Sequence, residues 1–168
     1  IKKIFGNIDT IKISNGDIKL DLRNGLKLKS NFETNINIDQ KNISIYKKIL
    51  NKQNLINNIQ LFNGNFNNNV SIDLDETYKV KNFKYNFSGQ LKKSEIKFTK
   101  SVKNTYIDEE LSKIILSDSL INFHLSPKIL KLEGEGNYSF DDVEFSKFFF
   151  KNKFFDYQLH FLVNFDYR

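Results

Sequence analysis

Apolar and polar residues alternate in short runs from one end of this chain to the other. Ile18-Lys19-Leu20-Asp21-Leu22 is one run, and residues 70–74 and 83–87 are others. Because successive side chains of a β-strand point to opposite faces, each run describes a strand with one apolar and one polar face. Ser14-Asn15-Gly16-Asp17 and Asn24-Gly25 are predicted turns between runs. The pattern predicts roughly ten strands in an antiparallel meander.

Two segments break the alternation and predict one or two short helices. Four apolar residues between positions 105 and 116 share one helical face, and acidic residues occupy what would be the first turn. A weaker helical spacing covers residues 46–59, where asparagine lowers helix propensity. The expected fold class is therefore mostly β, with a small helical component.

Length, cysteine content and charge limit the classes of protein to which this chain can belong. The length of 168 residues predicts a single β-rich domain, 1–168, which we expect to be a segment of a longer repetitive protein. Because the chain begins with Ile1 rather than Met, we expect a fragment, a processed form or an excised domain. The chain contains no cysteine, which excludes disulfides and thiolate metal sites. The net charge of +6 comes from lysines that alternate with apolar residues, which is typical of a solvated face. We expect no nucleic-acid partner.

The apolar face of so many strands must be shielded from water. Two short helices cannot supply it, and contiguous exposed apolar patches above a few hundred Å² are rare on monomers. The sheet can pack on a second sheet as a sandwich, close into a barrel, or curl into an open groove (β-taco-like) that holds an apolar ligand such as lipid chains. A large, uniform lining and short turns without binding loops favour the groove; the sandwich and the barrel remain the alternatives.

The predicted groove lining consists of the apolar positions of the alternating runs. These residues are Ile18, Leu20, Leu22, Leu26, Leu28, Ile36, Ile38, Val70, Ile72, Leu74, Phe83, Tyr85, Phe87, Ile96, Phe98, Leu159, Phe161, Val163 and Phe165.

The polar residues show no pattern that predicts catalysis. His124 and His160 stand opposite apolar positions, so we expect both to face solvent. The acidic residues at 73–76 lack the ligand spacing of a calcium loop. Gly134-Glu135-Gly136 predicts a bulge or tight bend rather than a nucleotide-binding loop. We therefore predict no catalytic residue, no metal site, no cofactor and no enzymatic activity.

Five segments carry a recognisable pattern, namely residues 70–75, 78–85, 88–91, 96–98 and 132–142. The first four resemble the strand units of AsmA-like and TamB-like envelope proteins, and residues 132–142 resemble the recurrent G-x-G, apolar, Asp unit of that group.

The resemblance implies an elongated, non-catalytic β-groove in the bacterial cell envelope. It implies a periplasmic protein tethered to the inner membrane, with lipid acyl chains as its ligand and membrane-embedded partners at its edge strands. The expected function is phospholipid transport between membranes or outer-membrane assembly. The alternative is a structural or adhesive β-sandwich that binds protein partners through its edge strands.

Overall fold

The computed structural model describes residues 1–23, 25–43, 58–104, 109–141, 146–155 and 161–165. These residues form one nine-stranded sheet in which the strands follow each other in sequence order. The strands are β1 (Lys2–Ile8), β2 (Ile11–Asp21), β3 (Lys27–Ile38), β4 (Ile59–Leu74), β5 (Val80–Asn104), β6 (Glu109–Leu125), β7 (Ile129–Phe140), β8 (Ser146–Phe155) and β9 (Phe161–Phe165).

The sheet is an open antiparallel meander. Each strand pairs with the next one along the chain, and β1 and β9 form the two edges without pairing to each other. In the described ranges no second sheet packs on the first. The prediction of a mostly-β antiparallel meander is confirmed, whereas the barrel and sandwich alternatives do not describe this part of the chain.

The strand register separates an apolar from a polar face. Leu28 lies opposite Ile72, which in turn lies opposite Phe83, while the adjacent Lys27 lies opposite Asp73. Because directly opposed residues point to the same side of a sheet, the alternation of each strand adds to that of its neighbours. The result is a continuous apolar face backed by a polar one.

Three large side chains of β4, β5 and β7 are almost fully buried. Phe66 and Leu91 are each 2% exposed, and Tyr138 is 5% exposed. All three lie on the apolar face, so the sheet must curl about that face to bury them without a second layer. The ring of Phe66 stacks on that of Phe87 with a centroid distance of 4.2 Å, which fills the floor of the curl.

Glycines permit the close approach of strands at this floor. A Cβ on Gly89 would lie 2.1 Å from the backbone oxygen of Asn65, and one on Gly136 would lie 2.2 Å from Oγ of Ser119. Neither position has room for a side chain. The curvature therefore depends on small residues where β4 meets β5 and where β6 meets β7.

Two predicted irregularities turn out to be bulges in continuous strands. The prediction of a turn at Ser14-Asn15-Gly16-Asp17 is wrong, because β2 runs through it with a register shift between Ser14 and Asp17 and with Asn15 at φ 52°. Asparagine tolerates this left-handed conformation, which a bulge needs as much as a turn does. Opposite Gly136, the ladder shifts between Ser117 and Leu120, so the bulged strand is β6.

The helix predicted at residues 105–116 is wrong for the part that the structure describes. Residues from Glu109 onward belong to β6, and residues 105–108 lie outside the described ranges. Ile114 pairs with Ile96 on the apolar face, whereas Ile115 is buried on the opposite side. Apolar residues on both faces mimic a helical spacing. Of the helix predicted at 46–59, residues 46–57 lie outside the described ranges and Ile59 begins β4.

Candidate functional site

The ladders bring most of the predicted lining residues onto one face of the sheet. One row joins Leu20, Leu28, Ile72 and Phe83, each directly opposite the next. The other lining residues that the register or strand alternation places on this face are Ile18, Ile36, Ile38, Val70, Leu74, Tyr85, Phe87, Ile96 and Phe98, and, by backbone position, Phe161, Val163 and Phe165.

Two predicted lining residues lie outside the strands, and a third, Leu159, lies outside the described residues. Leu22 and Leu26 flank the β2–β3 turn, and the backbone oxygen of Leu26 accepts a 2.8 Å hydrogen bond from the Leu74 amide. Gly25 of the predicted turn adopts φ +87°, a conformation that favours glycine.

In β3, β4 and β7 the alternation places no charged residue on the apolar face, but the face does carry a buried amide. Asn68 is 5% exposed, and its Nδ2 donates to the Thr34 hydroxyl at 3.1 Å and to the backbone oxygens of Phe32 and Phe66 at 3.3 Å. Its Oδ1 accepts a 2.8 Å bond from the hydroxyl of Tyr85. Burial raises the pKa of the Tyr85 phenol, which therefore stays a donor at neutral pH.

Sequence reasoning missed the role of Asn68, although a signal was present. Asn68 occupies an apolar position of the alternation, between Phe66 and Val70. A polar residue at such a position requires hydrogen-bond partners once buried. The network shows how this amide is accommodated in an otherwise apolar floor.

The opposite face is rich in asparagine. Asn35 donates to Asn65, and Asn69 donates to Asn31, each pair bridging β3 and β4. His124 lies on this face, as predicted, half-buried and with its Nδ1 2.6 Å from Oδ1 of Asn86. His160 lies outside the described residues. The amides bond one another across strands, which explains how a continuous polar face is maintained beside the apolar one.

The acidic run at 73–76 covers the end of β4 and the start of the turn that follows it. The carboxylate of Asp75 accepts hydrogen bonds from the Thr77 hydroxyl at 2.7 Å, the Thr77 amide at 2.8 Å and the Lys79 amide at 3.0 Å. The Thr77 hydroxyl and the Lys79 amide hold the pKa of Asp75 below its ordinary value. Across the described residues, no three His, Asp or Glu side chains cluster in a way that could hold a metal ion.

No described helix is long and apolar enough to cross a bilayer. Comparisons of the chain with protein-family models, with curated proteins and with solved structures found no match. The candidate site therefore stands on its own geometry, which in the described ranges is an apolar face that curls, stays open and lacks charge in β3, β4 and β7.

Proposed function

We propose that this chain is a non-catalytic β-groove that shields lipid acyl chains from water. The observation that carries the proposal is the continuous apolar face of an open, single-layer sheet. Burial of apolar surface contributes roughly 25 cal/mol per Å², so leaving such a face in water is costly. A hydrocarbon ligand removes that cost without a second protein layer.

The size of the face fits this class of ligand. Nine strands at a spacing of about 4.8 Å give a sheet about 38 Å across. The acyl chains of one bilayer leaflet extend about 15 Å, half of the hydrocarbon thickness. An acyl chain lying across the strands can therefore contact several of them, and each CH₂ group that leaves water contributes about 0.8 kcal/mol.

The chemistry of the lining also suits hydrocarbon. Aliphatic and aromatic side chains lie next to one another across neighbouring strands, as in the row Leu28, Ile72 and Phe83. Non-directional contacts of this kind bind a flexible chain without selecting a particular headgroup. The polar groups of the floor, such as Asn68, are already hydrogen-bonded within the protein.

The resemblance to AsmA-like and TamB-like proteins supports a place for this groove in the bacterial envelope. We propose that the chain is a periplasmic segment of a longer protein tethered to the inner membrane. There it would serve phospholipid transport between membranes or outer-membrane assembly.

A titration with dansyl-labelled undecanoic acid tests the binding step. We expect saturable fluorescence enhancement by the wild-type chain and at least a fivefold weaker affinity for Ile72→Asn, because a polar group then interrupts the lining. The matched control is Ser71→Asn, the neighbouring residue on the opposite face. No enhancement by the wild type, or equal loss in both variants, would contradict the proposal.

A further inference from the structure

One border of the sheet collects three turns of the meander within the described residues. The connections β2–β3, β4–β5 and β6–β7 all lie at this border, because consecutive antiparallel strands reverse direction at alternate ends. We call it the Tyr78 rim and define it as residues 19–29, without Asn24, together with residues 71–84 and 126–128.

The apolar face reaches this rim without a polar boundary. Leu22 is 75% exposed, Leu20 and Val80 are each 60% exposed, and Tyr78 is 76% exposed. Leu74 lies opposite Val80, and its backbone amide donates a hydrogen bond to the backbone oxygen of Leu26. Thus the lining extends to solvent as a band of large apolar side chains, in contrast to the buried middle of the strands.

Tyr78 occupies a conformation that its residue type disfavours. Its φ is 62°, within the left-handed region, while its amide donates to the Asp75 oxygen at 3.0 Å and the Asp75 amide donates to the Lys79 oxygen at 2.9 Å. Glycine or asparagine suits this turn position better than a bulky aromatic residue does. In a chain rich in asparagine, a strained and exposed tyrosine points to a role for its side chain.

The outer side of the rim is basic. Lys19 lies directly opposite Lys29, although like charges at opposed positions repel. Ser71 lies opposite Lys29 on the next strand and Lys84 lies opposite Ser71, so Lys84 belongs to the same row. Within the described residues no ion pair involves these three lysines. The rim carries seven lysines and Arg23 against four acidic residues, an excess of four of the chain's net +6.

Two of the four rim acids make hydrogen bonds to other groups. Arg23 donates two hydrogen bonds to Asp21, at 3.0 and 2.8 Å, and Asp75 accepts the hydrogen bonds of its own turn. Because none of the described ion pairs involves Lys19, Lys29 or Lys84, this cationic row is available to an external anion.

We infer that the Tyr78 rim docks on an anionic bilayer surface. Leu22, Tyr78 and Val80 enter the boundary between headgroups and acyl chains, where tyrosine is favoured, and the lysines contact lipid phosphates. Apolar insertion beside basic residues is the combination that holds peripheral proteins on such membranes. The biological purpose of this inference rests on the proposed function, because docking brings the groove lining to the lipid. The docking itself is measured in a separate experiment.

Vesicle flotation tests the lysine row. We expect the wild-type chain to float with phosphatidylcholine vesicles that contain about 30 mol% phosphatidylglycerol, and only weakly with phosphatidylcholine alone. Each lysine near such a surface contributes about fivefold in affinity, so Lys19→Gln with Lys29→Gln should weaken binding about 25-fold. The matched control removes the same charge outside the rim, through Lys12→Gln with Lys93→Gln, and should change binding by less than about threefold.

The variant Tyr78→Asn separates docking from folding. Asparagine accepts the left-handed backbone, so we expect an unchanged or higher melting temperature together with weaker flotation. Failure of the wild type to float with anionic vesicles, an equal loss in rim and control variants, or undiminished flotation of Tyr78→Asn would each overturn the inference. The fatty-acid titration of the wild type distinguishes the two proposals. A wild type that binds the fatty acid but does not float overturns only the rim, and a wild type that floats but does not bind the fatty acid overturns only the groove.

Discussion

The hydroxyl of Tyr85 in β5 donates a 2.8 Å hydrogen bond to Oδ1 of Asn68 in β4. The two residues are diagonal neighbours, since Tyr85 lies opposite Val70 and Asn68 lies opposite Phe87. The bond joins two long strands at the floor of the curl, where Asn68 is buried. The bond gives the buried amide oxygen of Asn68 a hydrogen-bond donor within the apolar face.

Loss of this donor should destabilise the fold. Tyr85→Phe leaves Oδ1 of Asn68 buried without the phenolic donor, and we expect the free energy of unfolding to fall by about 1–2 kcal/mol. A double-mutant cycle measures the interaction, by chemical denaturation of the wild type, Tyr85→Phe, Asn68→Leu and the double variant. We expect a coupling energy of about 0.5–1.5 kcal/mol between the two side chains. Additive effects of the two substitutions would contradict a direct interaction.

The contact between Gly89 and Asn65 predicts a stronger effect. Because a Cβ on Gly89 would meet the backbone oxygen of Asn65 at 2.1 Å, Gly89→Ala must push β4 and β5 apart. We expect a loss of about 2–3 kcal/mol in the free energy of unfolding. Gly6→Ala is the control, since no atom lies within 4 Å of a Cβ there; that variant should be neutral or more stable by up to about 1 kcal/mol. Equal melting temperatures for the two variants would contradict the close approach.

The Asp75 turn predicts a pH dependence. Hydrogen bonds from Thr77 and Lys79 lower the pKa of Asp75 in the folded state, so the stabilisation is present above the unfolded pKa of about 3.9 and is lost as the pH falls through the lower, folded pKa. Asp75→Asn keeps a turn-forming side chain but removes the titration. Melting temperatures between about pH 2 and 6 should therefore fall less steeply on acidification for Asp75→Asn than for the wild type. Identical slopes would contradict the assignment.

The alternation of Ile, Leu and Phe with Lys and Asn predicted the meander, because a period of two specifies both the strand and its buried face. The turn predicted at Asn24-Gly25 is confirmed at Gly25, which lies between β2 and β3 and adopts a positive φ. Asn15-Gly16 does not mark a turn, since a bulge and a turn require the same left-handed backbone and only the pairing partner decides between them.

Long-range pairing also decided the two other departures from expectation. Ile114 and Ile115 belong to a set of apolar residues with helical spacing in the sequence. Their pairing with β5 and β7 nevertheless places them on opposite faces of β6. Asn68 was overlooked because its partners Thr34 and Tyr85 are 34 and 17 residues away. No local pattern in the sequence pairs these residues.

Native mass spectrometry of the chain purified from bacterial membranes in mild detergent tests the central claim most directly. We predict phospholipid adducts on the wild type and on Ser71→Asn, and reduced lipid occupancy on Ile72→Asn with Phe83→Asn, whose side chains share a row of the lining. Lipid-free protein in every sample, or equal occupancy in lining and control variants, would contradict the view that this apolar face holds acyl chains.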